Sequence, residues 1–260
     1  MNGGAPGHGV TVGTPFAART AHLDLDLAGA DRPGVVSSVL HSCLQTGDGQ
    51  ALSWQQVHAA DLVRRLGWLL ELGRLSGVQS LDLHCRCPAC DAEIALSLDP
   101  GSFEQPSAAG EFDCEPEAGV RLRLRLPTGE DQSRWAHTGV DDFARLAADL
   151  VLAVSGDADR ENEGAIRRDW LPAIEAALET VDPLTALQIQ TACPDCGHAF
   201  GLPIDLEQLL LQRLMAEQVR VLRDIHRIAT RYHWRERDIL ALSPVRRAFY
   251  LRCIDQERVQ

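Results

Sequence analysis

The sequence contains no lysine, and all 25 of its basic residues are arginines. This absence excludes a Walker A phosphate loop and a Schiff-base lysine, because both sites require the lysine amine. The sequence also lacks any uncharged apolar run of about 18 residues, the length that suggests a membrane helix. Its N-terminus has no basic segment followed by an apolar one. We therefore expect a cytoplasmic protein with reduced cysteines, no membrane association and no secretion signal.

Positive charge is scarce, since 37 acidic residues outnumber the basic ones and the net charge is −12. Binding to phosphate backbones requires a basic surface, so the composition argues against a nucleic-acid partner. The sequence also lacks a nucleophile elbow, a HExxH helix, a glycine-rich phosphate loop and a compact His/Asp/Ser set. We therefore expect a non-enzymatic protein.

Two cysteine motifs, Cys87-Pro88-Ala89-Cys90 and Cys193-Pro194-Asp195-Cys196, lie in the same longer pattern. In each copy, apolar residues alternate on both sides of the Cys-Pro-x-Cys turn, which predicts a β-hairpin with a metal-binding tip. A shift of 106 positions aligns Leu81 with Leu187, Leu83 with Ile189, Cys87 with Cys193, Cys90 with Cys196, Ile94 with Phe200, Leu96 with Leu202, Leu98 with Ile204 and Asp99 with Asp205.

Two matched pairs of thiolates suit a tetrahedral, all-cysteine zinc site. We predict one structural zinc per chain, held by Cys87, Cys90, Cys193 and Cys196. The alternatives are that a Cys-x-x-Cys motif is a redox dithiol or two unrelated buried thiols, or that Cys85, His84 or His198 replaces one of the ligands. Cys85 corresponds to Thr191 in the other copy, which argues against its being a ligand. Isolated thiols such as Cys43, Cys114 and Cys253 are more often small core residues.

The sequence predicts an α+β fold in which the two hairpins share one zinc and pack with helices. Residues 1–34, rich in Gly, Ala and Pro, are predicted to form a flexible arm. Residues 35–205 are predicted to form the zinc-stapled core, with hairpins at 81–99 and 187–205, and residues 206–260 a helical C-terminal unit.

Within this core, a capping box formed by Ser53 and Gln56 predicts a helix that continues with apolar residues to Gly73. Val120 to Leu126 alternates apolar residues with arginines, which predicts a half-exposed strand. We further predict a connector near 100–110, helices at 141–154 and 166–180, and a solvated loop at 156–164.

In the C-terminal unit, Leu206 to Tyr232 has the apolar period of one helix, and a shorter helix follows near Trp234. Ser243-Pro244 suits the start of a final helix that reaches about Ile254. Residues 205–260 contain 11 arginines and 8 acidic residues, so they carry +3 while the remainder carries −15. Five arginines share one face of the helix that begins at Leu206, namely Arg213, Arg220, Arg223, Arg227 and Arg231. This arginine stripe is either a solvated face or a docking surface for an acidic partner. The candidate partner-binding residues are Arg220, Arg223, Arg227, Arg231 and Trp234; Trp234, Phe249 and Tyr250 serve equally well as local core residues.

The chain resembles the baseplate hub assembly chaperones of contractile-tailed phages and phage-tail-like injection systems. The resemblance spans roughly residues 50–256. It rests on the paired cysteine motifs, Arg125-Leu126-Pro127-Thr128, Asp182-Pro183 and the string from His233 to Arg247. It implies a non-enzymatic role in assembling baseplate or hub proteins of a contractile tail, in the cytoplasm or within the assembled particle. Two departures, Asp91 where the second copy has Gly197 and the additional thiol of Cys85, leave open whether the first hairpin tip keeps the geometry of the second.

A zinc-ribbon adaptor in transcription or another protein complex is the competing hypothesis. Such an adaptor would carry basic and aromatic residues around its cysteine motifs if it bound nucleic acid. Acidic residues surround the motifs instead, namely Asp91, Glu93, Asp99, Asp195 and Asp205. The sequence therefore favours protein partners.

Overall fold

The computed structural model describes residues 10–103, 110–139, 142–156 and 166–257, and they form a mixed α+β fold. The strands are β1 (Val10–Val12), β2 (Leu44–Thr46), β3 (Leu81–Arg86), β4 (Glu93–Leu98), β5 (Glu111–Glu117), β6 (Val120–Arg125), β7 (Val151–Gly156), β8 (Gln188–Ala192) and β9 (Ala199–Pro203). The α-helices are α1 (Thr20–Leu23), α2 (Arg32–Cys43), α3 (Trp54–His58), α4 (Leu62–Leu75), α5 (Gly129–Thr138), α6 (Phe143–Leu150), α7 (Leu171–Val181), α8 (Leu206–Tyr232), α9 (Glu236–Leu240) and α10 (Pro244–Glu257).

The strands form small antiparallel sheets. β1 pairs with β2, β3 with β4, and β8 with β9, while β5, β6 and β7 form a three-stranded sheet in that order. A two-stranded hairpin has little stability in water unless one face packs against something else. Within the described ranges, no helix has both the length and the apolar composition that crossing a lipid bilayer requires.

The larger hydrophobic core joins both ends of the described chain. α2, α4 and α8 contribute its centre, and the bases of both hairpins enter it through residues such as Leu81 and Ile204. The spacing of the apolar residues in α8 explains why this helix lies in the larger core. One face of the helix is apolar and buried, and it carries Leu210, Leu214, Val221, Ile225 and Ile228. α4 and α8 approach closely at Gly73, where an added Cβ would lie 3.1 Å from a methyl carbon of Leu210.

A second core belongs to the chain segment between the two hairpins. The apolar residues of β6 alternate with arginines, and Val120, Leu122 and Leu124 face α6 and α7. Ala147, Leu150, Trp170 and Ile174 complete this core. On the other face, Arg123 donates a hydrogen bond from Nε to Glu111 Oε2 on the adjacent strand (2.8 Å). The described residues between 111 and 181 therefore have a core of their own, and we call this segment, which lies between the two hairpins in the sequence, the insert.

The insert joins the larger core where β6 leads into α5. Leu62 N–H donates to the carbonyl oxygen of Pro127 (2.9 Å), and Gly129 N–H donates to that of Ala60 (3.4 Å). An added Cβ at Gly129 would lie 2.7 Å from the guanidinium carbon of Arg65, so glycine allows this close approach. Arg65 is fully buried and donates to Ser37 Oγ (2.8 Å) and to the Val57 carbonyl oxygen (2.9 Å).

The prediction of a flexible arm over residues 1–34 is wrong for residues 10–34. Phe16, Leu23 and Leu27 are buried in the larger core, and β1 pairs with β2. The side-chain amide of Gln218 in α8 donates toward the carbonyl oxygens of His22 (3.0 Å), Leu23 (3.2 Å) and Leu25 (2.9 Å). The Gly, Ala and Pro content suggested mobility, but the few large apolar residues bury enough surface to hold the segment. Residues 1–9 lie outside the described residues.

The remaining helix and strand predictions are partly confirmed. The Ser53–Gln56 capping box is present. The single helix predicted after it is instead two helices, α3 and α4, because the Asp61 side chain accepts from Arg64 N–H and caps the start of α4. The helix predicted at 141–154 ends at Leu150, since the following apolar residues pair with β6 as β7. β6, α8 and α10 appear where predicted, and Arg246 N–H donates to Ser243 Oγ at the start of α10 (3.4 Å). Residues 104–109 of the predicted connector, 157–164 of the predicted loop and 258–260 lie outside the described residues.

Asp131 is the most heavily hydrogen-bonded carboxylate of the insert. Its side chain is buried and accepts from Arg125 Nη2 and Arg134 Nη2 (both 2.9 Å), and from the backbone N–H and hydroxyl of Thr128 (both 2.9 Å). Burial acts to raise its pKa, but the hydrogen bonds from Arg125 and Thr128 outweigh burial and lower the pKa to about 2. Asp131 therefore fixes the turn that joins β6 to α5.

We predict that Asp131→Asn lowers the free energy of unfolding by about 2 kcal/mol at pH 7, because two guanidinium groups lose their carboxylate. Asp131 has a lowered folded-state pKa, so its stabilisation is present above the unfolded pKa and is lost as the pH falls toward 2. The difference between the two proteins should therefore shrink on acidification, as measured by urea unfolding at several pH values. Glu130→Gln, an exposed change in the same helical turn, is the control, and an equal effect of both changes would contradict the prediction.

We also predict that Gln218→Ala releases the N-terminal segment. Loss of the amide donors should speed hydrogen exchange at residues 22–28 about tenfold, the factor expected for about 1.4 kcal/mol of local stability. Exchange detected by mass spectrometry measures this, with exposed Gln212→Ala on the same helix as the control. Unchanged protection of residues 22–28 would show that apolar burial suffices to hold the segment.

Candidate metal centre

The two hairpins that carry the cysteine motifs have the same strand register. Leu83 pairs with Leu96 in the first hairpin, and Ile189 pairs with Leu202 at the equivalent positions of the second. Cys85 pairs with Ile94, as Thr191 pairs with Phe200. The sequence repeat is therefore also a repeat of backbone pairing.

The hairpin tips repeat each other as well. Cys87 N–H donates to the Ala92 carbonyl oxygen (2.9 Å), and Cys193 N–H donates to the His198 carbonyl oxygen (2.9 Å). Asp91 has φ of 60° and its counterpart Gly197 has φ of 72°. Aspartate tolerates this left-handed conformation better than most residues, and Asp91 Oδ2 also accepts from Arg86 Nη1 (2.8 Å). The Asp91 departure therefore leaves the geometry of the first tip unchanged.

The four predicted cysteines come together where the tips meet. Their sulfur atoms all lie within 4.8 Å of one another, and they are the one such cluster of His, Cys, Asp and Glu side chains found among the described residues. The contacts are reciprocal: Cys87 Sγ lies 3.7 Å from Cys196 Sγ, and Cys90 Sγ lies 3.6 Å from Cys193 Sγ. The first cysteine of each motif is buried and the second is exposed.

These separations fit a tetrahedral metal ion. Zinc–thiolate bonds of about 2.3 Å place the sulfur atoms of a regular tetrahedron about 3.8 Å apart. The sulfur separations of 3.7 Å between Cys87 and Cys196 and 3.6 Å between Cys90 and Cys193 agree with that value. Ile94 and Phe200, which occupy equivalent positions in the repeat, pack beside the buried cysteines and shield one side of the cluster.

The electrostatics of the cluster favour a bound cation. Burial opposes ionisation of Cys87, but the backbone N–H groups of Ala89 and Cys90 outweigh it and lower the pKa of the Cys87 thiol to about 7. The Ala92 N–H favours the Cys90 thiolate, but the neighbouring thiols outweigh it and raise the pKa of Cys90 to about 12. One thiol thus ionises readily, and its negative charge makes ionisation of the next thiol unfavourable. A metal ion removes this conflict, and its binding releases protons.

The other candidate ligands lie outside the cluster. Cys85 lies in β3 opposite Ile94, and its side chain packs beside the cluster without joining it. The ring of His84 faces Glu93, with Nδ1 3.5 Å from Oε1, and the ring of His198 stacks on Phe200. Cys43 and Cys114 are buried core residues, as predicted, and Cys253 is half-buried.

The predicted partner-binding arginines are mostly engaged within the chain. Arg220 donates from Nε to Glu217 (2.8 Å) and from Nη1 to Asp224 (2.9 Å). Arg227 pairs with Asp255, and Arg231 Nη2 lies 2.6 Å from Glu257 Oε2, so both connect α8 to α10. Arg223 is exposed and has no ion pair among the described residues.

Trp234, the aromatic member of that predicted set, belongs to a ring cluster at the end of α8. Its ring stacks on Tyr232 and meets the edge of Tyr250, with centroids 5.2 and 5.0 Å apart. About 37% of its surface stays exposed. Trp234 therefore both packs locally and contributes to the surface.

Sequence reasoning did not single out Asp131 or Arg247 as functional or structural residues. Asp131 had a local signal, because Thr128 followed by an acid three residues later is a capping pattern. Arg247 had none, since its burial arises from the packing of α10 against α8.

Comparison of the chain with protein-family models, curated proteins and solved structures finds no match. Its function is therefore inferred from its own residues and geometry.

We predict that the purified protein binds one transition-metal ion per chain. Cys193→Ser should reduce the bound metal below about half an equivalent and lower the melting temperature, because a structural metal contributes folding free energy. Cobalt substitution should give the visible absorption of a tetrahedral thiolate complex in the wild type. Cys85→Ser is the matched control and should retain the full equivalent; metal loss in both variants would contradict the four-ligand site.

Proposed function

We propose that the four cysteines hold one structural zinc ion. The donor set supports this, because four thiolates at tetrahedral spacing suit zinc and fill its coordination sphere. A filled sphere has no position for a water molecule or a substrate, whereas a catalytic zinc keeps one position open. The zinc in this proposal connects the two hairpins and does no chemistry.

We further propose that the protein is a non-enzymatic assembly chaperone or structural component for the baseplate or hub of a contractile phage tail or phage-tail-like injection system. The observation that carries this proposal is that each family-like segment has a definite structural role. Arg125 to Thr128 forms the joint between insert and core, with Arg125 bound to Asp131. Asp182 ends α7 and accepts from Thr185 N–H (3.1 Å), and the string from His233 to Arg247 forms the link from α8 to α10.

These positions support the proposal only in that the matched residues all have a structural role in this chain. An isolated motif match would not require the matched residues to occupy structural joints. Here the matched residues lie at the joint of the insert, at the entry to the second hairpin and at the end of the longest helix.

The charge around the metal centre bears on the zinc-ribbon alternative. Asp91, Glu93, Asp99, Asp195 and Asp205 are all exposed on or beside the hairpins. Phosphate groups would be repelled from such a surface, so an adaptor that uses its ribbon on nucleic acid is disfavoured. A ribbon adaptor that contacts proteins remains the second candidate, since protein partners tolerate acidic surfaces.

The decisive experiment uses the bacterium or phage that encodes this chain. Deletion of the gene should yield sheaths and tubes without complete baseplates in electron micrographs, and the wild-type gene should restore them. Mass spectrometry of purified particles then separates a chaperone, absent from the finished particle, from a retained component. Complete particles in the deletion strain would contradict the proposal. Cys193→Ser should give the same defect as the deletion, whereas Cys85→Ser should assemble normally.

A further inference from the structure

A buried arginine lies between α8 and α10 with unpaired hydrogen-bond donors. Arg247 is only 8% exposed, and its Nε and Nη1 atoms have no hydrogen-bond partner among the described residues. Burial, followed by the nearby charge of Arg220, lowers its pKa, so its environment lacks sufficient compensating negative charge. A buried guanidinium without acceptors is costly, which makes an external acceptor favourable.

Arg247 borders a small notch in the surface. The notch has a volume of about 160 Å³ and is lined by Arg220, Asp224, Pro244, Arg247, Ala248 and Leu251. At roughly 30 Å³ per water molecule, this space holds a few waters or one carboxylate group, and it is too small for a nucleotide. Pro244, the first residue of the 14-residue helix α10, is one of the lining residues.

The carboxylate already in the notch does not satisfy Arg247. Asp224 accepts from Arg220 Nη1 (2.9 Å), and no Asp224 oxygen lies within ion-pair distance of Arg247. Arg220 is itself engaged by Glu217 and Asp224, which leaves Arg247 as the donor without a partner. The guanidinium of Arg247 therefore lines the notch as a positively charged group with unpaired donors.

The outer face of α10 beside the notch is apolar and cationic. Val245 is 77% exposed and Phe249 is 55% exposed. Arg246 and Arg252 are exposed on the same helix without an ion pair among the described residues, and the Arg252 guanidinium lies over the Phe249 ring. An aromatic residue flanked by unpaired arginines suits a partner segment that carries both acidic and apolar side chains.

We infer that the α8–α10 notch at Arg247 receives a carboxylate side chain from an acidic segment of a protein partner, whose neighbouring apolar residue packs on Val245 and Phe249. The expected bond is charge-assisted, from one of the two unpaired donors of Arg247, Nε or Nη1, to an oxygen of that carboxylate. This geometry moves the docking site away from the arginine stripe predicted on α8, because most of that stripe is paired within the chain. The inference holds whatever assembly the partner belongs to.

A matched pair of peptides provides the test. The full-length, metal-loaded protein is labelled with nitrogen-15, and the Nε–Hε signal of Arg247 is followed by NMR. The probe is a blocked hexapeptide with one glutamate beside a leucine, and the control has glutamine in place of glutamate. The glutamate peptide should shift the Arg247 signal in a saturable way, and the glutamine peptide should leave it unmoved.

Variants inside and outside the docking face assign the effect to the notch. Arg247→Met should weaken binding of the glutamate peptide by more than about tenfold, the loss expected for a hydrogen bond to a charged group. Arg145→Met removes the same charge from an exposed position on α6, outside the docking face, and should change affinity less than about twofold. Arg247→Met should fold, because an apolar side chain of similar length replaces unsatisfied buried donors.

Several outcomes would overturn the inference. Equal responses to the two peptides, or no response to either, would contradict the proposed carboxylate site. A saturable response to inorganic phosphate without one to the glutamate peptide would assign the notch to a free anion. Loss of stability in Arg247→Met without any peptide response would show that Arg247 instead pairs with Asp224 in solution. The peptide comparison in the wild-type protein decides the question even if a variant does not fold.

Discussion

The reciprocal contact of the two hairpin tips is the constraint on which the rest of the structure depends. Each hairpin has two strands and contributes two sulfur atoms, so neither is stable or complete by itself. Their bases are buried in one hydrophobic core and their tips meet at the four cysteines. A crosslink that closes a loop of about 100 residues removes unfolded-state entropy worth about 4 to 5 kcal/mol on the loop-closure model. The cysteine cluster can therefore stabilise a core that both ends of the chain share.

The contact between the two hairpin tips also explains how the chain accommodates the insert. Residues 111–181 bury their own apolar residues, and the polar joint at Pro127 to Gly129 connects them to the larger core. Because the insert supplies its own core, it does not compete with the hairpins for buried surface. The two ends of the insert are held by elements whose cysteine motifs meet at the four-cysteine cluster.

Local sequence patterns predicted much of this structure. The cysteine spacing identified the four clustered residues, and the apolar period of α8 matched a single helix from Leu206 to Tyr232. Other features depend on contacts between residues far apart in the sequence. Residues 10–34 are held by Gln218 from nearly 200 positions away, β7 forms because β6 offers it an edge, and the arginines of α8 find partners on α10. The burial of Arg247 likewise depends on the docking of α10, which no local pattern reports.

The order of the two motifs along the chain has a consequence for biosynthesis. Cys90 precedes the partner it contacts, Cys193, by 103 residues. A ribosome therefore completes the first motif long before the second exists, and during that time Cys87 and Cys90 have no thiol partners from the other hairpin. A pair of nearby thiols in this state is open to oxidation, and a disulfide between them would block the later closure. Closure of the four-cysteine cluster therefore depends on Cys87 and Cys90 staying reduced until the second motif has been synthesised.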